Sequence, residues 1–376
     1  MSVVRRHEPR IVILTNPADP HSALIREGLR RKGIDTLLWH TTDFPTLQAG
    51  SIRLQGEGRS WEMVGPELEI RNCRASTVLL RRPQPPVLPS FVDPADRTFA
   101  LRECSLFLRA VYNEVGSGAF WVNPLESQSK TILRTEQLKA AACAGFRIPH
   151  TLCSNDPAKI QDFIRSNQAG VIYKSFFSIS WETNEGMAIA FSSLVREEDL
   201  PEDLVLRATP GIFQELIPKD HELRVTAFGN RLFSVKLRSQ ETDRGKIDWR
   251  VAGDNVPMEP VTLPRRVALA CRRVMRALGI VFGCFDLIVT PDGDYVFLEV
   301  NEMGAFLWLE ERLPELRLLD AFCEFLIQAR KDFKWRQSSQ SVKLDQVHAD
   351  AVRYLEAVAP RLHVTSNSGR PRDGVF

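Results

Sequence analysis

Long apolar runs are missing from this sequence. The first apolar stretch, Ile11–Leu14, is far shorter than a signal-peptide core or a membrane span, so neither is expected and a cytoplasmic location is. An excess of one charge is missing too: 49 basic residues stand against 47 acidic ones, a net of +2. Nucleic-acid binding rests on concentrated positive charge, so no nucleic-acid partner is expected and any basic site must be local. The seven cysteines (Cys73, Cys104, Cys143, Cys153, Cys271, Cys284 and Cys323) form no Cys-x-x-Cys pair, which argues against a zinc knuckle or a disulfide framework and for reduced thiols. There is no Gly-Lys-Ser/Thr phosphate loop, no Gly-x-Gly-x-x-Gly strand turn and no Gly-x-Ser-x-Gly elbow, and the seven histidines never take a metal-like spacing. These gaps count against Walker-type nucleotidases, dinucleotide oxidoreductases, serine hydrolases and zinc enzymes.

What is present is an ordinary globular composition, 44% hydrophobic and 26% charged over 376 residues, enough for two or three packed units. Arg10–Thr15 reads as a buried strand, Asn16 to Pro20 as a turn, Ser22–Lys32 as a helix closed by Gly33, and Ile34–Trp39 as a second strand. Strand, helix and strand at this spacing favour a parallel sheet. Val78–Leu80 is a further strand, ended by Arg81-Arg82-Pro83, and Arg97–Val115 a helix. Trp121 to Pro124 marks a boundary, followed by a helix over Thr131–Ala144, a helix over Pro157–Asn167 and a strand over Gly170–Ser175. Ile189–Ser192 is expected to pair with that strand across the polar segment Ser178–Gly186. Strands dominate from Ile212 to Val300 around a helix at Pro264–Leu278, and Val342–Ala357 reads as a last helix before the polar stretch Thr365–Gly374.

The most informative segment runs from Gly283 to Asn301. Asp292-Gly293 between two apolar runs signals a hairpin. A two-residue loop there places Pro291 opposite Asp294 and Asp286 opposite Glu299, with Asn301 on the same face as Glu299. Two carboxylates that close repel unless a cation intervenes, and hard oxygen donors in low number suit Mg²⁺, which keeps waters and phosphates in its shell. The blander alternative is a solvated hairpin face.

Other segments supply what a nucleotide would need. Lys174 ends a buried strand and is placed to reach a phosphate, or simply to meet solvent. The stretch Gln214, Glu215, Leu216, Ile217, Pro218, Lys219 is a short extended linker whose backbone can read a base edge. Glu222 and Arg224 share one strand face, suited to ribose hydroxyls and to a phosphate, or to a surface ion pair. A turn at Gly229-Asn230 sets Arg224 opposite Val235, which points Lys236, a weaker candidate cation, the other way. Arg250, in Asp248-Trp249-Arg250, is a candidate anion-binding arginine.

Together these residues resemble the ATP-grasp superfamily, and within it the graspetide, or microviridin-type, maturases. The resemblance runs from about Ile11 to about Ile327, through Leu80 to Pro83, Trp121 to Pro124, Gln137 to Ala141, Phe213 to Val225, Ser239-Gln240, Asp248 to Arg250 and Val281 to Glu310. It implies an α/β (α+β) ATP-grasp fold: an N-terminal parallel-sheet domain (1–123), a central lid (124–211), a C-terminal antiparallel-sheet catalytic domain (212–335), and here a C-terminal helix and tail (336–376). It implies ATP and Mg²⁺ as cofactors, with Asp286, Glu299 and Asn301 as metal ligands. Lys174, Glu215 to Ile217 and Glu222 fall on nucleotide contacts, and Arg224 on the phosphate-binding arginine. The family's first phosphate-binding lysine falls on Arg134. The family's Asn-Pro-x-Gly-Gln-Trp is replaced by Asn301-Glu302-Met303-Gly304-Ala305-Phe306, a departure on the acceptor side.

The activity implied is ATP-dependent joining of Asp or Glu side chains of a ribosomal precursor peptide, carrying a leader segment, to Ser/Thr hydroxyls or Lys amines in macrocyclic esters or amides. Rival readings are a ligase adding free amino acids to a carboxylate and a catalytically idle nucleotide- or peptide-binding protein. No membrane partner is expected. The last helix leaves a homodimer open, packing on its own subunit being the simpler role.

Overall fold

The protein is described by a computed structural model covering residues 9–66, 68–176, 180–183, 186–189, 192–242 and 245–365. The N-terminal apolar runs form the expected parallel sheet, in the order Thr36–His40, Ile11–Thr15, Thr77–Leu80, Phe120–Val122. Every residue of Ile11–Thr15 is buried, which is why the strand reads as a continuous apolar run rather than an alternation. The first helix, Pro20–Arg31, begins at a capping Asp19 whose carboxylate accepts from the Ser22 N–H at 3.3 Å. An antiparallel flap of three strands, Ala49–Gln55, Gly58–Val64 and Glu69–Arg71, follows the second parallel strand. Sequence reading had assigned nothing there.

The central sheet is antiparallel, in the order Ser193–Val195, Val171–Lys174, Gly211–Glu215, Thr151–Ser154. The expected pairing of Ile189–Ser192 with the Lys174 strand is therefore corrected. Ser193, Leu194 and Val195 lie opposite Tyr173, Ile172 and Val171, so the pairing begins just past the expected segment, where Leu194 and Val195 supply the apolar match. Ser180–Thr183 and Gly186–Ile189 pair with each other instead; Ser178, Ile179, Asn184, Glu185, Ala190 and Phe191 lie outside the described residues.

The chain crosses at residues 216–220 into a five-stranded antiparallel sheet, ordered Met258–Val261, Arg231–Leu237, His221–Phe228, Phe282–Val289, Tyr295–Asn301. One face is covered by helices Arg134–Ala144 and Arg265–Leu278, which bury Leu223, Val225, Phe285, Leu287 and Phe297. The opposite face is divided along its length. Phe228, Val235, Phe282 and Cys284 are buried in a core shared with the N-terminal sheet and with Phe306, Phe322 and Phe325. The next residues on that face, Arg224 and Asp286, lie just beyond this core. The fold thus ends an aromatic core where a charged site begins.

The last helix is longer than expected, Leu344–Thr365, and packs on the first: Arg30 pairs with Asp350 at 2.9 Å and the Arg26 guanidinium lies 4.5 Å from the Tyr354 ring centroid. It covers its own subunit. Among the described residues no helix is long and apolar enough to cross a membrane.

Candidate active site

The hairpin carrying the candidate metal ligands departs twice from its simplest form. Thr290 and Asp294 close the loop, with Gly293 at φ +83°, so the loop holds three residues rather than two. That puts Val289 opposite Tyr295 and Leu287 opposite Phe297, one step out of the expected register. A bulge between Asp286 and Leu287, with Leu298 as the extra residue, restores it, and Asp286 faces Glu299 as expected. Asn301 donates its amide Nδ2 to Glu299 Oε1 at 3.0 Å. No hydrogen bond among the described residues claims its side-chain oxygen Oδ1, while its backbone carbonyl accepts from the Gly304 N–H.

Each facing carboxylate is met by an arginine. Arg224 Nη1 pairs with Asp286 Oδ1, its Nη2 donates to the Ala305 carbonyl at 3.3 Å, and its buried Nε has no partner among the described residues. Arg134 pairs with Glu299 Oε2. It can do so because the helix starts later than expected, at Arg134, after a separate short turn at Gln128–Thr131. Gln137, one turn on, fixes that start to the Tyr295–Asn301 strand: its Oε1 accepts from Val300 N–H at 2.9 Å and from Arg134 Nη1 at 3.3 Å.

Burial works against charge on both carboxyls. At Asp286 it prevails, reinforced by the negative Glu299 against the pull of Arg224, and the pKa is raised. At Glu299 the opposing effects of Arg134, the Asn301 amide and Lys174 outweigh it, and the pKa is lowered. One proton is thus favoured on the Asp286 side of the pair. Desolvation lowers Lys174, which stands near enough to Glu299, Arg134, Arg250 and Asp248 to sense their charge. Arg250 is raised first by its hydrogen bonds to Asp248, at 2.8 and 2.6 Å, and further by Asp286 and Glu299. Trp249 stacks on Trp308 with ring centroids 4.9 Å apart and pins this loop over the sheet.

The structure therefore brings Arg134, Lys174, Arg224, Arg250, Asp286, Glu299 and Asn301 into one neighbourhood. Lys236 is not among them: paired with Leu223 and Glu259, it stands on the helix-covered side, because residues alternate across a strand. Gln214 turns to Thr151 Oγ1 at 3.0 Å inside the central sheet. Glu215 accepts from the His150 N–H through its side chain at 3.1 Å, and the Leu216 N–H is taken by the Gly170 carbonyl. Glu222 Oε1 accepts from Lys219 at 2.6 Å and Ser239 at 2.9 Å, which ties Lys219 to Ser239 and leaves Oε2 for other partners.

Several residues that matter here escaped sequence reading. Ile288, Val296 and Leu298 join the expected Ile217 in a small apolar cluster beside the carboxylates, and the hairpin bulge is what brings Leu298 to it. Three buried side chains weld the N-terminal sheet to the loop after Asn301. Asn123 donates to the Phe282 and Glu302 carbonyls (2.8 and 3.0 Å) and accepts from the Val281 and Phe282 N–H groups. His21, which burial keeps neutral, accepts from the Phe306 and Leu307 N–H groups, both at 3.2 Å. Arg81 donates to the Met303 and Gly304 carbonyls. Their partners lie hundreds of residues away, so no local pattern marks them.

No family model matches the chain, and no curated protein matches it. Solved structures do match. The macrocyclase MdnC from Microcystis aeruginosa MRC, solved with the precursor peptide MdnA, superposes with a TM-score of 0.75 at 28% identity over 85% of this chain and 99% of its own. The chain belongs to the ATP-grasp superfamily. Within it, the chain is similar to solved macrocyclases. MdnB from the same organism gives 0.71 at 28% identity, over 84% of this chain and 98% of its own. A Chryseobacterium gregarium RiPP-associated ATP-grasp ligase, solved with ADP, a leader and a core peptide, shares the fold at 0.75 and 24% identity, over 87% and 99%.

The donor set can be tested against a metal. Among the described residues no group of three or more His, Cys, Asp or Glu side chains could hold one. Two carboxylates and an amide oxygen are instead too few for a closed protein cage and fit a magnesium ion that completes its shell with phosphate and water.

Proposed function

We propose that this ATP-grasp ligase binds MgATP on the Arg224 face of the catalytic sheet and uses it to activate an acidic side chain of a ribosomal precursor peptide. The observation that carries this reading is the convergence of Asp286, Glu299 and Asn301 with the cations Arg134, Lys174, Arg224 and Arg250. Mg²⁺ held by the three oxygen donors would neutralise phosphate charge during transfer. The arginines then change partners. Were Asp286 and Glu299 to hold a divalent ion, Arg224 and Arg134 would be free for phosphate oxygens, where a planar fork binds two oxygens at once. The unpartnered Nε of Arg224 is part of that capacity. Ile217, Ile288 and Leu298 provide an apolar seat for the base, and Glu222 Oε2 a contact for ribose.

The γ-phosphoryl group passes to the peptide carboxylate with release of ADP, and Arg224 and Arg250 offset the charge on the transferred group. A Ser or Thr hydroxyl, or a Lys amine, of the same peptide then attacks the acyl carbon; phosphate leaves and the nucleophile loses its proton. Holding both groups on one chain favours ring closure over attack by water. Incubation with MgATP and a precursor peptide encoded beside this chain's gene tests the reading by mass spectrometry. Loss of one water per ring is expected; a gain of amino-acid mass would indicate ligation of free amino acids, and an unchanged peptide with no ADP would contradict the ligase reading.

A further inference from the structure

The strand Thr77–Leu80 leaves the N-terminal sheet with two consecutive arginines of opposite fate. Arg81 is sealed, paired with Asp19 at 3.1 Å and bonded to two carbonyls of the 302–306 loop. Arg82 is open to solvent at the rim, and its φ of +45° lies in the left-handed region that disfavours any residue with a Cβ. Its backbone is clamped on both sides: the N–H donates to Met303 Sδ at 3.2 Å, and the carbonyl accepts from Asn16 Nδ2 at 2.8 Å. Neither contact uses the side chain.

Among the described residues the Arg82 guanidinium has no ion pair and no hydrogen bond. The other arginines of the cleft are taken: Arg224 by Asp286, Arg134 by Glu299, Arg250 by Asp248. Arg82 stands close enough to Asp19 and Cys284 to sense their charge, and Cys284 precedes Asp286 by two residues on the same strand face. A glycine would suit this backbone better, so the position keeps a strained cation whose side chain does nothing for the fold.

We infer that Arg82 is the grip for the acceptor carboxylate. Its fork takes an Asp or Glu side chain of the incoming peptide in a bidentate pair and holds it at the Asp286 end of the sheet, on the seam between the N-terminal and catalytic sheets. The inference rests on the ligase reading, which needs an acidic side chain presented to the nucleotide.

The test is fluorescence anisotropy with a labelled synthetic peptide containing Thr, Asp and Glu, and with its Asn/Gln isostere, in the presence of MgADP. Wild type is expected to bind the acidic peptide about tenfold more tightly than the isostere. Arg82→Gly removes the guanidinium and relieves the backbone, so its thermal midpoint should equal or exceed that of wild type while the preference disappears. Arg82→Lys, which keeps the charge without the fork, should recover part of it. Equal binding of both peptides by wild type, or an undiminished preference in Arg82→Gly, overturns the inference. ADP release from MgATP with the acidic peptide separates the two readings. Preference without ADP leaves the grip and removes the ligase; ADP release with an unaffected Arg82→Gly variant leaves the ligase and removes the grip.

Discussion

Arginine meets carboxylate on both sides of the 302–306 loop, and the two arrangements differ in what surrounds them. Arg81 and Asp19 are 1% and 0% exposed, stand one to one, and tie the N-terminal sheet to the loop. Arg224 and Asp286 are 8% and 19% exposed, and a second carboxylate faces them, itself paired with Arg134. Breaking the first arrangement strands a buried charge. The second is crowded with like charge that Arg224, Arg134, Lys174 and the Asn301 amide relieve, and on the proposed reading a divalent ion would take the arginines' place. A buried ion pair is therefore not by itself a sign of function; two facing carboxylates with exchangeable partners are.

The largest expected effect lies at the exchangeable pair. Asp286→Asn or Glu299→Gln should lower ADP release on the order of a thousandfold, since a bound metal supplies several kcal/mol of charge stabilisation. The same variants should shift ligand-free stability by only about 1 kcal/mol, because a repulsion is removed with the ion pair. At the sealed pair the pattern inverts. Arg81→Met leaves Asp19 buried without its cation and should cost about 3–5 kcal/mol in denaturant unfolding. Equal loss of stability at both places would erase the distinction.

The difference between the regions also explains how much could be read in advance. Short turns fix register locally. Gly229-Asn230 sets Arg224 opposite Val235, as read from the sequence. Asp286 opposite Glu299 was also legible, although the three-residue loop and the Leu298 bulge are two errors of one step that cancel. The parallel sheet and most helices followed from apolar periodicity. Arg134 was nameable only through the family resemblance, because it reaches the carboxylates from a helix; Lys174, which comes from another sheet, was marked by its place at the end of a buried strand. The welds made by Asn123, His21 and Arg81 carry no local signature, and a flap whose first strand is mostly exposed lacks the apolar alternation that marks a strand.

Two smaller effects sharpen the comparison. Saturating MgATP, at about a hundred times its dissociation constant, should stabilise wild type by about 2.7 kcal/mol and Glu299→Gln by much less, as read from thermal midpoints. Away from the site, burial lifts the Glu310 carboxyl from the ordinary 4.5 to about 7, although its Oε2 accepts from the Leu319 N–H at 2.7 Å. The folded state holds that proton more tightly than the unfolded chain does. Its contribution to stability is full below about pH 4.5 and lost as pH rises through about 7. Glu310→Gln should flatten that decline, by about 3 kcal/mol, in unfolding measured across the window.

The central claim is that two facing carboxylates and an amide hold the metal of a nucleotide while their arginines turn to its phosphates. Calorimetric titration of ATP into wild type and Asp286→Asn, each with Mg²⁺ and with EDTA, tests it most directly. Tight binding is expected only for wild type with Mg²⁺. Equal ATP affinity in all four titrations would contradict it.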